Sequence, residues 1–218
     1  MPPLALLFDL DGTLIDSIDL LVDCMEAAFA DRTRRPTRAQ WIAGIGTPLR
    51  TQLAEWCEGA ADIQTVVEQY RAHQDLHLEP MTSLFPDVAE TLAWARTAGH
   101  ATAIVTSKGR GMTDRSLRHV GLDHAFDAIV TFEETTGHKP LPDPVFLALE
   151  RLEINADRAL FVGDSPHDMG AGRAAGVRTG AALWGPFTRD ELAGTNPTYW
   201  MTRMAELPDI VKGFDRLG

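Results

Sequence analysis

Five short apolar runs, separated by helical patterns that stop at glycine, restrict the fold of this chain more than any other feature. Leu4-Ala5-Leu6-Leu7-Phe8 is apolar without a break, as a strand buried on both faces must be. Similar runs recur at Ala101 to Val105, Ala128 to Val130 and Ala159 to Val162, with a weaker one from Val177 to Leu183. Between them lie helical patterns from Val88 to Ala98 before Gly99, Met112 to Val120 before Gly121, Val145 to Leu152 after Pro144, and Met169 to Ala175 before Gly176. This alternation predicts an α/β fold built on a doubly wound, Rossmann-like parallel sheet, whose ligands sit beyond the carboxyl ends of the strands.

From residue 16 to residue 86 the alternation breaks. The stretch holds only helical periodicity: Leu20, Leu21, Cys24 and Ala28, then Leu49, Leu53 and Trp56, then Ile63, Val66, Val67 and Tyr70. It is expected to form an inserted all-helical domain, leaving 1–15 and 87–218 as a core near the usual size of a domain. Arg32, Arg34, Arg35 and Arg38, flanking Pro36 and Thr37, read as a solvated loop between two of its helices. The last segment, from Trp184 onward, is expected to add a final strand with Tyr199 and Trp200 and a helix with Leu207.

Charge narrows the partners. Twenty Lys and Arg against 31 Asp and Glu give a formal net charge of −11, which repels nucleic acid and anionic lipid at long range. Cys24 and Cys57 read as reduced core side chains. No run approaches the ~20 apolar residues that span a bilayer, and Met1-Pro2-Pro3-Leu4 carries no cationic leader. The expectation is a soluble, cytoplasmic monomer or homodimer that binds neither nucleic acid nor membrane.

The chemistry concentrates at the strand ends. Asp9 and Asp11 follow one predicted strand directly, and Asp164 follows another through Gly163. Carboxylates crowded at adjacent strand ends repel each other unless a cation lies between them, and oxygen ligands without imidazole or thiolate favour Mg²⁺ over zinc or copper. Each segment alone reads equally well as structure, since Asp-Gly is a turn dipeptide and Asp164-Ser165-Pro166 suits a helix cap. Together they suit a carboxylate nucleophile, which needs a metal, a cation for phosphate oxygens and a proton donor for the leaving oxygen. Thr106-Ser107 ends a strand where a hydroxyl and an amide can hold phosphate, and Lys139 is one of three lysines, with Lys108 and Lys212.

Phe8-Asp9-Leu10-Asp11-Gly12-Thr13-Leu14-Ile15-Asp16-Ser17, Val105-Thr106-Ser107-Lys108, Lys139-Pro140 and Val162-Gly163-Asp164-Ser165-Pro166-His167-Asp168-Met169 resemble, in order, the four motifs of the haloacid dehalogenase superfamily. The helical insert resembles the cap domain of its phosphoglycolate-phosphatase-like branch. The resemblance implies a Mg²⁺-dependent phosphatase for a small phosphorylated metabolite. It makes Asp9 the nucleophile and a metal ligand, and Asp11 the general acid and base, lending its backbone carbonyl to the metal. Thr106 and the Ser107 amide would bind the phosphoryl group, Lys139 would hold nucleophile and phosphate together, and Asp164 would be the third metal ligand. Asp168 would ligate through water or serve as support. Gly46-Thr47-Pro48-Leu49-Arg50 resembles the family's cap loop, so Arg50 becomes a candidate for a substrate carboxylate or second phosphate.

Within the superfamily, Asp11 argues against dehalogenation, which has no leaving alkoxide to protonate. The absence of lysine between Asp16 and Pro86 argues against the Schiff-base phosphonatases. A sugar phosphomutase is an alternative, although Leu21 stands at the position matching its hinge histidine. A receiver-like phospho-accepting module is another, although receivers are shorter and need no cap. His73 and His77, four apart on a predicted helix, read as a solvated face, and His167 receives no role.

Overall fold

Every predicted apolar run becomes a strand of one sheet. The computed structural model describes residues 3–217 of the chain, and the side chains of 3–215. Met1 and Pro2, on which the reading of the leader partly rests, and Gly218 at the end of the predicted core lie outside the described residues. In chain order the elements are β1 (Ala5–Phe8), β2 (Ile15–Asp16), α1 (Ile18–Ala28), α2 (Arg38–Gly44), α3 (Leu49–Leu53), α4 (Ala60–His77), β3 (Ser83–Leu84), α5 (Val88–Thr97) and β4 (Ala101–Val105). There follow α6 (Arg110–His119), β5 (Ala128–Val130), α7 (Asp143–Leu152), β6 (Ala159–Gly163), α8 (Pro166–Ala174), β7 (Arg178–Ala182), α9 (Arg189–Ala193), β8 (Tyr199–Met201) and α10 (Leu207–Lys212).

The six-stranded sheet has the order β5-β4-β1-β6-β7-β8 with every pair parallel. Alternate residues of β1 enter different cores: Leu6 and Phe8 pack with Val88, Leu92 and Leu207 on one face, Ala5 and Leu7 with Val145, Ala148 and Phe161 on the other. Burial on both faces is why the run is apolar at every position. Leu7→Ala, at a fully buried site of the central strand, is expected to cost about 2–5 kcal/mol. Urea unfolding checks this as a lower midpoint at unchanged slope.

Helices α1 to α4 pack a separate core around Phe29, Trp41, Leu53 and Val66, with Cys24 and Cys57 buried in it as free thiols. Trp41 Nε1 and Tyr70 Oη both donate to the Leu21 carbonyl, at 3.1 and 3.3 Å, tying α1, α2 and α4 together. The chain enters and leaves this helical insert through the antiparallel pair β2 and β3, with Ile15 opposite Leu84 and Asp16 opposite Ser83. A second tie comes from α6, where Arg115 pairs with Asp75 at 3.0 Å and Glu79 at 2.7 Å.

Several local readings change. Two-residue strands carry no periodicity, so β2 and β3 leave no trace in the sequence. The short helix α9 is also unforeseen, and α6 and α8 begin two and three residues before the apolar pattern does. The arginine-rich segment is the expected α1–α2 loop, but it is no free basic patch: Arg32 pairs with Asp62, Arg38 with Asp19, and Arg34 donates to the Glu55 carbonyl. His73 is half-buried rather than solvated, with Nε2 2.6 Å from Asp23 of α1 and its ring stacked on His77. No helix among the described residues is long and apolar enough to cross a membrane.

Candidate active site

Strand order assembles the site. β1 lies between β4 and β6, so the residues that follow these three strands emerge side by side: Thr106 after β4, Asp9 after β1 and Asp164 after β6. This is the switch point of the sheet, where connections leave β1 toward opposite edges and a crevice opens. The Asp9 amide donates to the Val162 carbonyl at 2.9 Å and the Thr106 amide to Val130 at 3.0 Å, so both backbones remain anchored by the sheet.

Lys139 joins them from the segment ahead of α7. Its ammonium, almost wholly buried, donates to Asp9 Oδ1 at 2.8 Å, Asp168 Oδ1 at 2.6 Å and the Val105 carbonyl at 3.3 Å. Asp168 is fixed from the other side by Ser165, whose amide and hydroxyl donate to Oδ2 at 3.0 and 2.6 Å. The same pair forms the capping box of α8, so the helix start and the site use one arrangement. Asp164 receives the Thr13 hydroxyl at 2.6 Å on Oδ1, while its buried Oδ2 has no partner among the described residues.

Asp9, Asp164 and Asp168 offer carboxylate oxygens that all lie within 4.8 Å of one another. Against these three stands one ammonium, leaving an excess of two negative charges. Burial, then Asp168, raises Asp9 to about 7 against the opposing pull of Lys139. Burial, then Asp168 and Asp9, also pushes Asp164 well above the usual carboxylate range. Burial opposes the charge of Lys139, but Asp168 and Asp9 outweigh it and hold its pKa above the ordinary lysine value. An orphaned buried carboxylate oxygen in an all-oxygen cluster with two surplus negative charges fits a hard divalent cation such as Mg²⁺.

Asp11 stands apart from this cluster. Its Oδ1 accepts from Lys108 Nζ at 2.6 Å and from the Ser17 hydroxyl at 2.6 Å. The Lys108 amide in turn donates to the Thr106 hydroxyl at 3.1 Å. Between the two acids Gly12 takes φ +84°, and a Cβ there would lie 2.6 Å from Asp164 Oδ2, so only glycine lets the turn pass the carboxylate.

The helical insert closes over this arrangement. The Ser107 hydroxyl donates to the Gly46 carbonyl at 2.6 Å, and a Cβ on Gly46 (φ +100°) would meet Ser165 Oγ at 2.7 Å and His167 at 3.3 Å. His167 thus lies under the loop ahead of α3. Beneath the insert a cavity of about 130 Å³ is bounded by Asp9, Asp11, Thr106, Ser107 and Lys108 on the sheet side. Arg50, Arg71 and Gln74 of the insert bound it as well, but Arg50 is turned to a hydrogen bond with Gln64.

The family model of the haloacid dehalogenase-like hydrolases matches residues 6–182. The chain belongs to that family. A relative in Caldanaerobacter subterraneus subsp. tengcongensis, provisionally named pyrophosphatase PpaX, is 36% identical over 212 residues, 97% of this chain and 96% of the relative. The crystal structure of a provisionally named haloacid dehalogenase-like hydrolase from Bacteroides fragilis superposes with a TM-score of 0.87 at 28% identity, covering 94% of this chain and 99% of that one. CbbY from Rhodobacter sphaeroides, solved as a mutant in complex with xylulose-1,5-bisphosphate, gives 0.80 at 25% identity over 93% of this chain and 95% of its own.

Of the residues singled out for this site, Asp9, Asp164, Asp168 and Lys139 meet in the buried cluster, while Asp11, Thr106, Ser107 and Arg50 line the cavity that Asp9 also borders. Sequence reasoning missed four side chains here: Lys108 and Ser17 on Asp11, Thr13 on Asp164, and Gln74, which lines the cavity. Lys108, Ser17 and Thr13 stand inside the quoted motifs, so proximity to them was the one available signal. Gln74 offered none.

Proposed function

We propose that the chain is a Mg²⁺-dependent phosphatase that hydrolyses a small, phosphoglycolate-like phosphomonoester through a covalent aspartyl-phosphate on Asp9. The observation that carries this reading is the Asp9, Asp164 and Asp168 cluster with Lys139 inside it and Asp11 two residues from the nucleophile. Residues 16–86 act as its cap.

Asp9 attacks phosphorus as the bond to the leaving oxygen breaks, while Asp11 gives that oxygen a proton. Asp11 then takes a proton from water, whose oxygen attacks the phosphoryl group and frees Asp9 with release of inorganic phosphate. Lys139 keeps Asp9 oriented and offsets phosphate charge, and Thr106 with the Ser107 amide holds phosphate oxygens. Asp9, Asp164 and the Asp11 carbonyl would hold Mg²⁺, with Asp168 as support. When bound, the cation neutralises charge on the phosphate oxygens. The cap loop at Gly46 excludes water from the first half of the reaction.

The 36% identity to a protein provisionally named a pyrophosphatase supports a second reading, with pyrophosphate as substrate and phosphate as leaving group. The mutase alternative finds no support at Leu21, a buried side chain in the cavity wall that carries no proton. Steady release of phosphate from p-nitrophenyl phosphate, abolished by EDTA and restored by Mg²⁺, tests the phosphatase reading. Accumulation of a phosphoprotein stable for minutes without turnover would replace it with the receiver-like alternative.

The cluster predicts a pH signature. Between 3.8 and about 7 the folded Asp9 retains a proton that the unfolded chain has released. The metal-free protein is therefore expected to lose stability as pH rises through that window. Mg²⁺ binds only the deprotonated cluster, so melting curves with Mg²⁺ should flatten this decline. Identical profiles in EDTA and in Mg²⁺ would contradict the metal site.

A further inference from the structure

Helix α4 turns one face to the cavity that Asp9 opens into, and that face carries Val67, Tyr70, Arg71 and Gln74. Their spacing of three and four residues is the spacing of side chains on one face of a helix. Tyr70 contributes only its ring, because its hydroxyl is spent on the Leu21 carbonyl. Gln74 is different. It is 5% exposed, and among the described residues its side-chain amide has no hydrogen-bond partner. Its amide atoms are not sealed off as Asp164 Oδ2 is, so they keep access to the cavity and are free to bond a ligand there. Arg71, three residues away and exposed, has no acceptor among the described residues, whereas the guanidinium of Arg50 already donates to Gln64.

We propose that Gln74 and Arg71 form a subsite for a second oxyanion of the substrate, a carboxylate or a second phosphate, on the wall of the cavity that α4 supplies. The inference rests on the phosphatase reading and assigns the residues that hold the further anionic group on its substrate's short carbon body. Arginine presents a planar fork to a carboxylate or phosphate, and the glutamine amide, three residues on along the same helix, adds a donor. Leu21, Val67 and the ring of Tyr70 also line the cavity, and their apolar surface suits the carbon body. The cavity, about 130 Å³, is close to the ~150 Å³ that accommodates a benzene ring.

Matched esters test this. With Mg²⁺, kcat/KM is compared for 4-carboxyphenyl phosphate, benzene-1,4-bisphosphate and phenyl phosphate, with pyrophosphate alongside. An anion gained at the subsite is expected to raise kcat/KM about tenfold over phenyl phosphate, the size of one charge-assisted hydrogen bond. Whichever of the two anionic esters shows the larger ratio identifies the preferred group. In Arg71→Gln, and separately in the near-isosteric Gln74→Leu, that ratio is expected to fall toward one. A wild-type ratio at or below one, a ratio unchanged in both variants, or pyrophosphate preferred over all three esters overturns the subsite while leaving a phosphatase. Turnover of none of the four compounds overturns the phosphatase reading itself, and the subsite with it.

Discussion

Asp9→Asn is expected to lower turnover of p-nitrophenyl phosphate by at least about 10⁴-fold, as loss of a covalent nucleophile does when no other group can replace it. The variant should not melt below the wild type. Asp9 lies in a buried cluster with two surplus negative charges, its own carboxyl raised to about 7, so an amide of the same shape relieves repulsion. Lost activity with an equal or higher melting temperature separates loss of chemistry from loss of fold. Turnover within tenfold of wild type would remove Asp9 as nucleophile and with it the phosphoenzyme.

Lys139→Met is expected to damage both activity and stability. The ammonium is the one cation hydrogen-bonded to this cluster among the described residues, bridging Asp9 and Asp168 from a fully enclosed position. Removing it leaves buried carboxylates uncompensated, at a cost of about 3–5 kcal/mol. For a chain of this size that corresponds to a melting temperature lower by roughly 6–20 °C. Lower pH should narrow the deficit, because protonated carboxyls no longer need the ammonium, and Mg²⁺ should narrow it at neutral pH. A variant that melts within about 2 °C of wild type at pH 7.5 would mean the cluster is not held by Lys139.

The acids were legible in the sequence because of where they stand. Asp9 and Asp164 each end an uninterrupted apolar run, and only a strand end in a two-sided core makes that pattern. Gly12 was legible as part of a turn, but not as the one residue that lets the backbone pass Asp164, since that depends on β6 lying beside β1. The Lys108 to Asp11 pair spans 97 residues and the Thr13 to Asp164 bond 151. No local pattern encodes contacts of that range. His73 was misread for the same reason: its partner Asp23 lies on another helix, and on α4 alone it looks solvated.

The sequence by itself determined the class of fold, the helical periodicity that α1, α3 and α4 take up, and which carboxylates, hydroxyls and lysine are available for chemistry. These follow from periodicity and from residue type, which act over a few residues. Only the tertiary structure decided that Asp168 joins Asp9 and Asp164 while the Asp11 carboxylate turns to Lys108, and that Arg50 is engaged while Arg71 and Gln74 have no partner among the described residues. Those choices depend on sheet order and on how the insert seats over it, and burial then turns them into shifted proton affinities and unpartnered groups facing a cavity.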